Sequence, residues 1–311
     1  MKHHLFVPAL AMGLLAACDI EDWGDSMKFT EDFHYTYPLK AGGRLNVDNF
    51  NGSVEILGWE KDEVQVDGTK YASRKENLDL IRVVVTPAPD SVEIRTVRPA
   101  GEMRRWSGLG AKYRIRVPFK TRLERISSSN GSVRVEQVEG EGRMKTSNGG
   151  VRLMRYKGDV RVDTSNGPVE LTEFTGSAAV TTSNGPIHAN GVKGYLEAET
   201  SNSSIEAKVS GLEGGRPVRL RSSNGPVTLT VDDGRASDVI ASTSNGGITV
   251  KLADGAGARV RATTSNSSVH SDFPVAQTAP QSKTHLQGTI GSGGPMLELS
   301  TSNGPIRIVR N

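Results

Sequence analysis

From about residue 120 onward the chain alternates apolar or small residues with polar ones in short runs. Val160, Val162 and Thr164 lead to Asn166, Ala178, Val180 and Thr182 lead to Asn184, and Leu196, Ala198 and Thr200 lead to Asn202. After each asparagine the alternation resumes, at Val169 and Leu171, at Ile187 and Ala189, and at Ile205 and Ala207. A period of two turns one set of side chains inward and the other outward, so these windows predict strands. Helical spacing fits none of them.

The asparagines between the runs recur at Asn130, Asn148, Asn166, Asn184, Asn202, Asn224, Asn245, Asn266 and Asn303. The first four steps are 18 residues each, and the next are 22, 21, 21 and 37. An earlier copy stands at Asn51, in NVDNFNGSVEI. A period of about 20 residues is that of a stacked solenoid, each unit being strand, corner, strand, corner. Short strands could also build a sandwich. A sandwich, however, gives no reason for threonine to stand two places before asparagine in nearly every unit. In a solenoid, equivalent residues of successive coils lie about 4.8 Å apart, so identical side chains meet. The fold expected is therefore all-β: a parallel β-solenoid, or β-helix, of about ten coils with an asparagine ladder at one corner.

Both Asn and Gly tolerate φ > 0, which predicts that the Ser-Asn-Gly corner uses it. The following slot holds Pro168, Pro186, Pro226 and Pro305, so it supplies no essential N–H. Stacked asparagine amides can bond along the column, and an amide left unpaired in the interior would cost about 1–3 kcal/mol. Serines 129, 147, 165, 183, 201, 223, 244, 265 and 302 precede the asparagines and are expected to face outward. Their hydroxyls could touch a glycan, although bonding to the neighbouring backbone is the favoured expectation.

The start of the chain is a different kind of segment. Residues 1–17 read as a signal peptide, with Lys2 and then an apolar run from Leu5 to Ala17 that is short for a membrane span. Leu15-Ala16-Ala17-Cys18 looks like a bacterial lipobox, which implies lipidation of Cys18 and attachment to a membrane. Cys18 is the only cysteine, which excludes an internal disulfide and a thiolate metal site. Residues 18–26 form the lipidated end and an acidic linker. Asp19 resembles an inner-membrane retention signal, so the expected place is the periplasmic side of a bacterial membrane. Residues 27–119 carry longer strands and form an N-terminal cap or first coils, and residues 120–311 form the repeat.

A net charge of +3 over 311 residues does not argue for nucleic acid. Histidines 34, 188, 270 and 285 lack metal-ligand spacing, and no cofactor is implied. Stacking the outward positions that follow the corner gives Arg134, Arg152, Glu170, His188, Glu206, Thr228, Thr249, His270 and Arg307. Glu170, His188 and Glu206 are the nearest approach to an acid–base site, but compensating surface charges explain them better. The loop of Arg104, Arg105 and Trp106 is a candidate for partner or lipid contact.

GGRLNVDNFNGSVEILGWEKDEVQV, the SNG corners, and LQGTIGSGGPMLELSTSNGPIRI together resemble the bacterial "putative-adhesin" domain family, over nearly all of the chain after the linker. The resemblance implies an extracytoplasmic β-solenoid, often encoded near envelope-stress regulators. It implies no activity and lends no site residues. The expected function is a non-enzymatic envelope scaffold or binding surface for a protein or glycan. The alternatives are a self-assembling β-helix and, less favoured, a polysaccharide-acting enzyme.

Overall fold

The computed structural model describes residues 29–97, 108–210, 216–232, 237–278 and 282–311. Its strands form two parallel ladders that face each other across one interior. In the regular region each coil gives one strand to each ladder. Val160–Asp163 belongs to the first ladder and pairs with Gly142–Thr146 and Thr175–Thr182. Val169–Thr172 belongs to the second and pairs with Val151–Met154 and with the first residues of Ile187–Thr200. The register is exact to the residue, so Val151, Val169, Ile187 and Ile205 form one inward column. The inward side chains make a continuous apolar core from Leu39 to Ile308. Burying such a side chain stabilises the fold by about 1.5–3 kcal/mol each.

The Ser-Asn-Gly corner differs from expectation. Of the nine repeat asparagines none has φ > 0, and neither do the glycines that follow them. Glycine fills that slot in most coils because it lies close to the coil below, although Ser203 and Ser267 take it after Asn202 and Asn266. A Cβ on Gly167 would lie 1.9 Å from the Gly149 carbonyl oxygen, and one on Gly185 would lie 1.9 Å from that of Gly167. The left-handed backbone occurs at the opposite corner. Gln137, Arg155 and Glu173 have φ of 57°, 49° and 53°, and Gly158 three residues after Arg155 has φ of 127°. Behind that corner Val138, Tyr156, Phe174 and Val192 are fully buried, and the Tyr156 and Phe174 rings stack with centroids 5.9 Å apart.

The coils also depart from chain order at both ends. Leu297 pairs with Val239 on one side and with Val260 on the other. Ile306 likewise lies between Ile248 and Val269. The last coil of the chain is thus inserted between the two coils that precede it in sequence. The 37-residue step arises here. The intervening chain includes Val275–Gln277 and His285–Ile290, an antiparallel pair that lies along Ala258–Thr264. At the other end, the coil made of Gly43–Asn49 and Val54–Trp59 is inserted between later coils. Leu45 pairs with Val92 and Leu123, and Val54 pairs with Tyr113 and Val133. Antiparallel strands extend both ladders at this end: Phe29–Pro38 on Glu63–Ala72, and Arg82–Ala88 on Ser91–Val97.

Candidate binding surface

The repeat presents three outward surfaces: the Ser-Asn ridge at the corner and the outer faces of the two ladders. At the ridge, the buried member is threonine. Thr164 Oγ1 donates to the Gly149 carbonyl at 3.2 Å and accepts from the Gly167 N–H at 3.3 Å. Thr182 does the same between Gly167 and Gly185, at 3.4 and 3.2 Å. One hydroxyl therefore closes its own turn and ties it to the coil below.

The asparagines form a ladder on the outside. Asn184 Nδ2 donates to Asn166 Oδ1 at 2.7 Å, and Asn202 Nδ2 donates to Asn184 Oδ1 at 2.7 Å. The same bond runs from Asn148 to Asn130, from Asn166 to Asn148, from Asn224 to Asn202 and from Asn245 to Asn224. At the base Asn130 donates to Asn51, and Asn51 donates to the Leu109 carbonyl at 2.9 Å. At the top the order is Asn245, Asn303, Asn266, which follows the inserted last coil rather than the sequence. The amides are exposed, not interior, which corrects the burial expected of them. The chain alternates up to the corner and then stops alternating: Thr182 is in, Ser183 and Asn184 are both out, and Gly185 is in.

Ser147, Ser165, Ser183 and Ser201 stand exposed beside this ladder. Their backbone groups pair from coil to coil, as in Ser183 N–H to Ser165 C=O at 3.2 Å. Among the described residues their hydroxyls make no hydrogen bond within the chain. The backbone bonding expected of these serines is made two places before the asparagine, by threonine in most coils and by Ser128 and Ser222 in two. The ridge thus offers free hydroxyls at the rung spacing of about 4.8 Å.

The outer face of the second ladder holds the acid–base candidates. Glu170, His188 and Glu206 do stand on successive rungs. Arg152, one rung further, holds Glu170 with two bonds of 2.7 and 2.9 Å. These hydrogen bonds hold the Glu170 carboxyl below its ordinary range, against the opposing effect of partial burial. A carboxylate so held is a poor proton donor at neutral pH. His188 Nδ1 lies 3.6 Å from Glu206, and both side chains are open to solvent. Arg307 stands between Thr249 and His270 in this row, not after His270. Charges on this face compensate locally, as in Arg114 with Glu55 and Arg134 with Glu136. His34 is beside Asp67 and His270 beside Asp272. Among the described residues no group of three or more His, Cys, Asp or Glu could hold a metal ion.

The outer face of the first ladder carries a feature that periodicity did not single out. A groove of about 690 Å³ crosses it, with Arg125, Arg143 and Arg161 along one side and Glu141 and Asp159 along the other. Stacking the outward positions of this ladder, as was done for the other, is the signal that finds it. Cys18, the linker and the Arg104–Trp106 loop lie outside the described residues.

Residues 118–309 match the family model described as Toastrack DUF4097. The chain belongs to the Toastrack DUF4097 family. The matched region takes in every regular coil, while the strands before Pro118 lie outside it. Solved structures similar to this Toastrack chain include a "putative adhesin" from Bacteroides fragilis, 13% identical with a TM-score of 0.40. It covers 90% of this chain and 97% of its own. A "putative cell adhesion protein" from Clostridium sporogenes is 10% identical, covers 90% and 100%, and has a TM-score of 0.28. A "putative adhesin" from Parabacteroides distasonis is 9% identical, covers 90% and 97%, and scores 0.32. At these scores the likenesses decide nothing about what this Toastrack chain does. Among curated proteins none matches it. No helix of the described residues is long and apolar enough to cross a membrane.

Proposed function

We propose that this Toastrack chain is a non-enzymatic lipoprotein of the cell envelope, a rigid adhesin-like scaffold that presents its outer faces to a protein or glycan partner. The observation that carries the reading is the ridge of free serine hydroxyls beside a self-satisfied amide ladder. Groups held at fixed spacing on a packed core lose little freedom on binding, which favours recognition of a repeating ligand. The pairing of Glu170 with Arg152 supports binding over acid–base chemistry. The last strand of the second ladder is only three residues, Val269–Ser271. So short an edge disfavours end-to-end pairing at that end.

Attachment rests on Cys18, with Asp19 placing the chain at the inner membrane. In that reading the linker sets the coils close to the bilayer on its periplasmic side. Crosslinking in intact cells, followed by identification of what is captured, tests the partner. Recovery of one preferred envelope protein or glycan is the expected result. Turnover of peptidoglycan or another envelope polysaccharide by the purified chain, abolished by Glu170→Gln, His188→Asn and Glu206→Gln together, would replace the scaffold with an enzyme. For the anchor, the Cys18→Ser chain should take up no labelled fatty acid and should leave the membrane fraction. Continued labelling would remove the lipoprotein reading.

A further inference from the structure

The outer face of the first ladder is charged differently from that of the second. On the second ladder Arg134 and Arg152 stand rung to rung, but each meets a carboxylate, Arg134 with Glu136 and Arg152 with Glu170. On the first ladder Arg143 pairs rung to rung with Arg161, and on its other side it faces the bulge that carries Arg125. Like charges directly opposite one another destabilise a sheet. On the second ladder carboxylates offset that repulsion, whereas Arg125 and Arg143 have no such partner.

The neighbouring carboxylates neutralise Arg161 but not the rest of this row. Glu124 is taken by Arg44 and Asn46, and Asp163 by Arg161. Among the described residues, Arg125, Arg143 and Lys145 have no carboxylate partner. They line the groove of about 690 Å³, in which the outward side chain of Ala179 is small. Tyr195, with the Arg216 guanidinium 5.3 Å from its ring centre, closes one end.

The opposite side of the groove bears Glu141 and Asp159. A ligand lying along the axis must place acidic groups against the arginines and hydrogen-bond donors against these carboxylates. A carboxylated polysaccharide has both, acid groups on some positions and hydroxyls on the rest. A bilayer or a nucleic acid offers phosphates in both directions, and the two carboxylates oppose that. We propose that this groove is a binding site for a linear acidic glycan, laid across the rungs with its acid groups on Arg125, Arg143 and Lys145. The proposal rests on the scaffold reading and names the ligand class and the face.

The full chain is tested against polygalacturonate, with dextran as the neutral polymer, and with phosphatidylglycerol vesicles and single-stranded DNA as the competing polyanions. Polygalacturonate should bind, weaken as salt rises, and outcompete the other three. Arg125→Gln, Arg143→Gln and Lys145→Gln together should weaken it by more than about tenfold. The same triple variant should be at least as stable to heat as the parent, because it relieves repulsion within the row. Arg152→Gln on the other ladder should leave affinity unchanged. No binding of polygalacturonate, equal binding by the triple variant, or tighter binding of vesicles or DNA would each overturn the site. A partner captured in cells on another face would leave the scaffold reading standing without this site. Cleavage of polygalacturonate by the chain would keep the groove and remove the scaffold reading.

Discussion

At the scale of single residues, the corner divides its work among neighbours of similar polarity. Thr182 satisfies two buried backbone groups, Ser183 satisfies none, and Asn184 holds two exposed rungs. Thr182→Val should therefore cost about 1–3 kcal/mol, since it strands a buried N–H and a buried carbonyl. Ser183→Ala should cost less than about 0.5 kcal/mol. Asn184→Leu breaks two solvent-exposed bonds and should cost about 1 kcal/mol. Denaturant midpoints for the three variants check the ranking, and a Ser183→Ala loss as large as that of Thr182→Val would contradict the assignment. Gly167→Ala is a separate case. Its Cβ would press on the backbone of Gly149, which cannot swing away as a side chain can, so a loss of about 3 kcal/mol is expected. Inward and outward faces were legible up to the corner because alternation follows from strand geometry. The exposure of the asparagines was not, because the turn interrupts the period for one residue and two successive side chains point outward. The reason for glycine was misread for a related cause. A strained φ and a close carbonyl select the same residue, and only the neighbouring coil tells them apart.

At the scale of elements, a hydroxyl pair bridges the two ladders near the N-terminal end. Tyr113 points inward from Gly110–Pro118, and its hydroxyl lies 2.5 Å from Thr96 Oγ1 on Ser91–Val97. Burial pushes the Tyr113 hydroxyl up to about 12, although the bond from Thr96 acts the other way. The unfolded chain gives up that proton near pH 10 and the folded chain holds it. The stabilisation is complete below pH 10 and is lost as pH rises toward 12, a change of about 2–3 kcal/mol. An unfolding series across that window should show the loss, and Tyr113→Phe should remove its share of the slope. Glu170 works in the opposite sense. Its depressed value stabilises the fold above the ordinary carboxylate range and is lost in acid, but the pair is exposed and should be worth less than about 1 kcal/mol. Arg152→Gln should raise the Glu170 titration midpoint in a carboxyl NMR titration. The compensated face was legible from the order of charges along one ladder. The groove on the other was legible in the 18-residue spacing of Arg125, Arg143 and Arg161, but only to a reading that stacks the strands before the corner as well as those after it.

At the scale of the molecule, the number and kind of coils follow from the repeat, but their order does not. Inserting the last coil between two earlier ones leaves every local pattern intact, because each inward column meets an equivalent column on either side. Only the longer step from Asn266 to Asn303 marks the place. The consequence is a folding order. Among the described residues, Ala258–Thr264 and Val269–Ser271 make their parallel contacts only with Met296–Thr301 and Ile306–Arg310, so that coil cannot dock by this pairing until the end of the chain has arrived. A chain ending at residue 294 should keep the coils from 133 to 231, whose partners are present, while 239–252 keeps its partners on one side only. It should lose protection over 258–290, where the antiparallel hairpin would remain attached to a strand without a support. Amide hydrogen exchange resolves the two regions. A peptide of residues 295–311 added to the truncated chain should restore protection over 258–271, since it carries both missing strands and the Asn303 rung. If the truncated chain protects 258–271 as well as the full chain does, the two coils stack in chain order and the inserted arrangement is wrong.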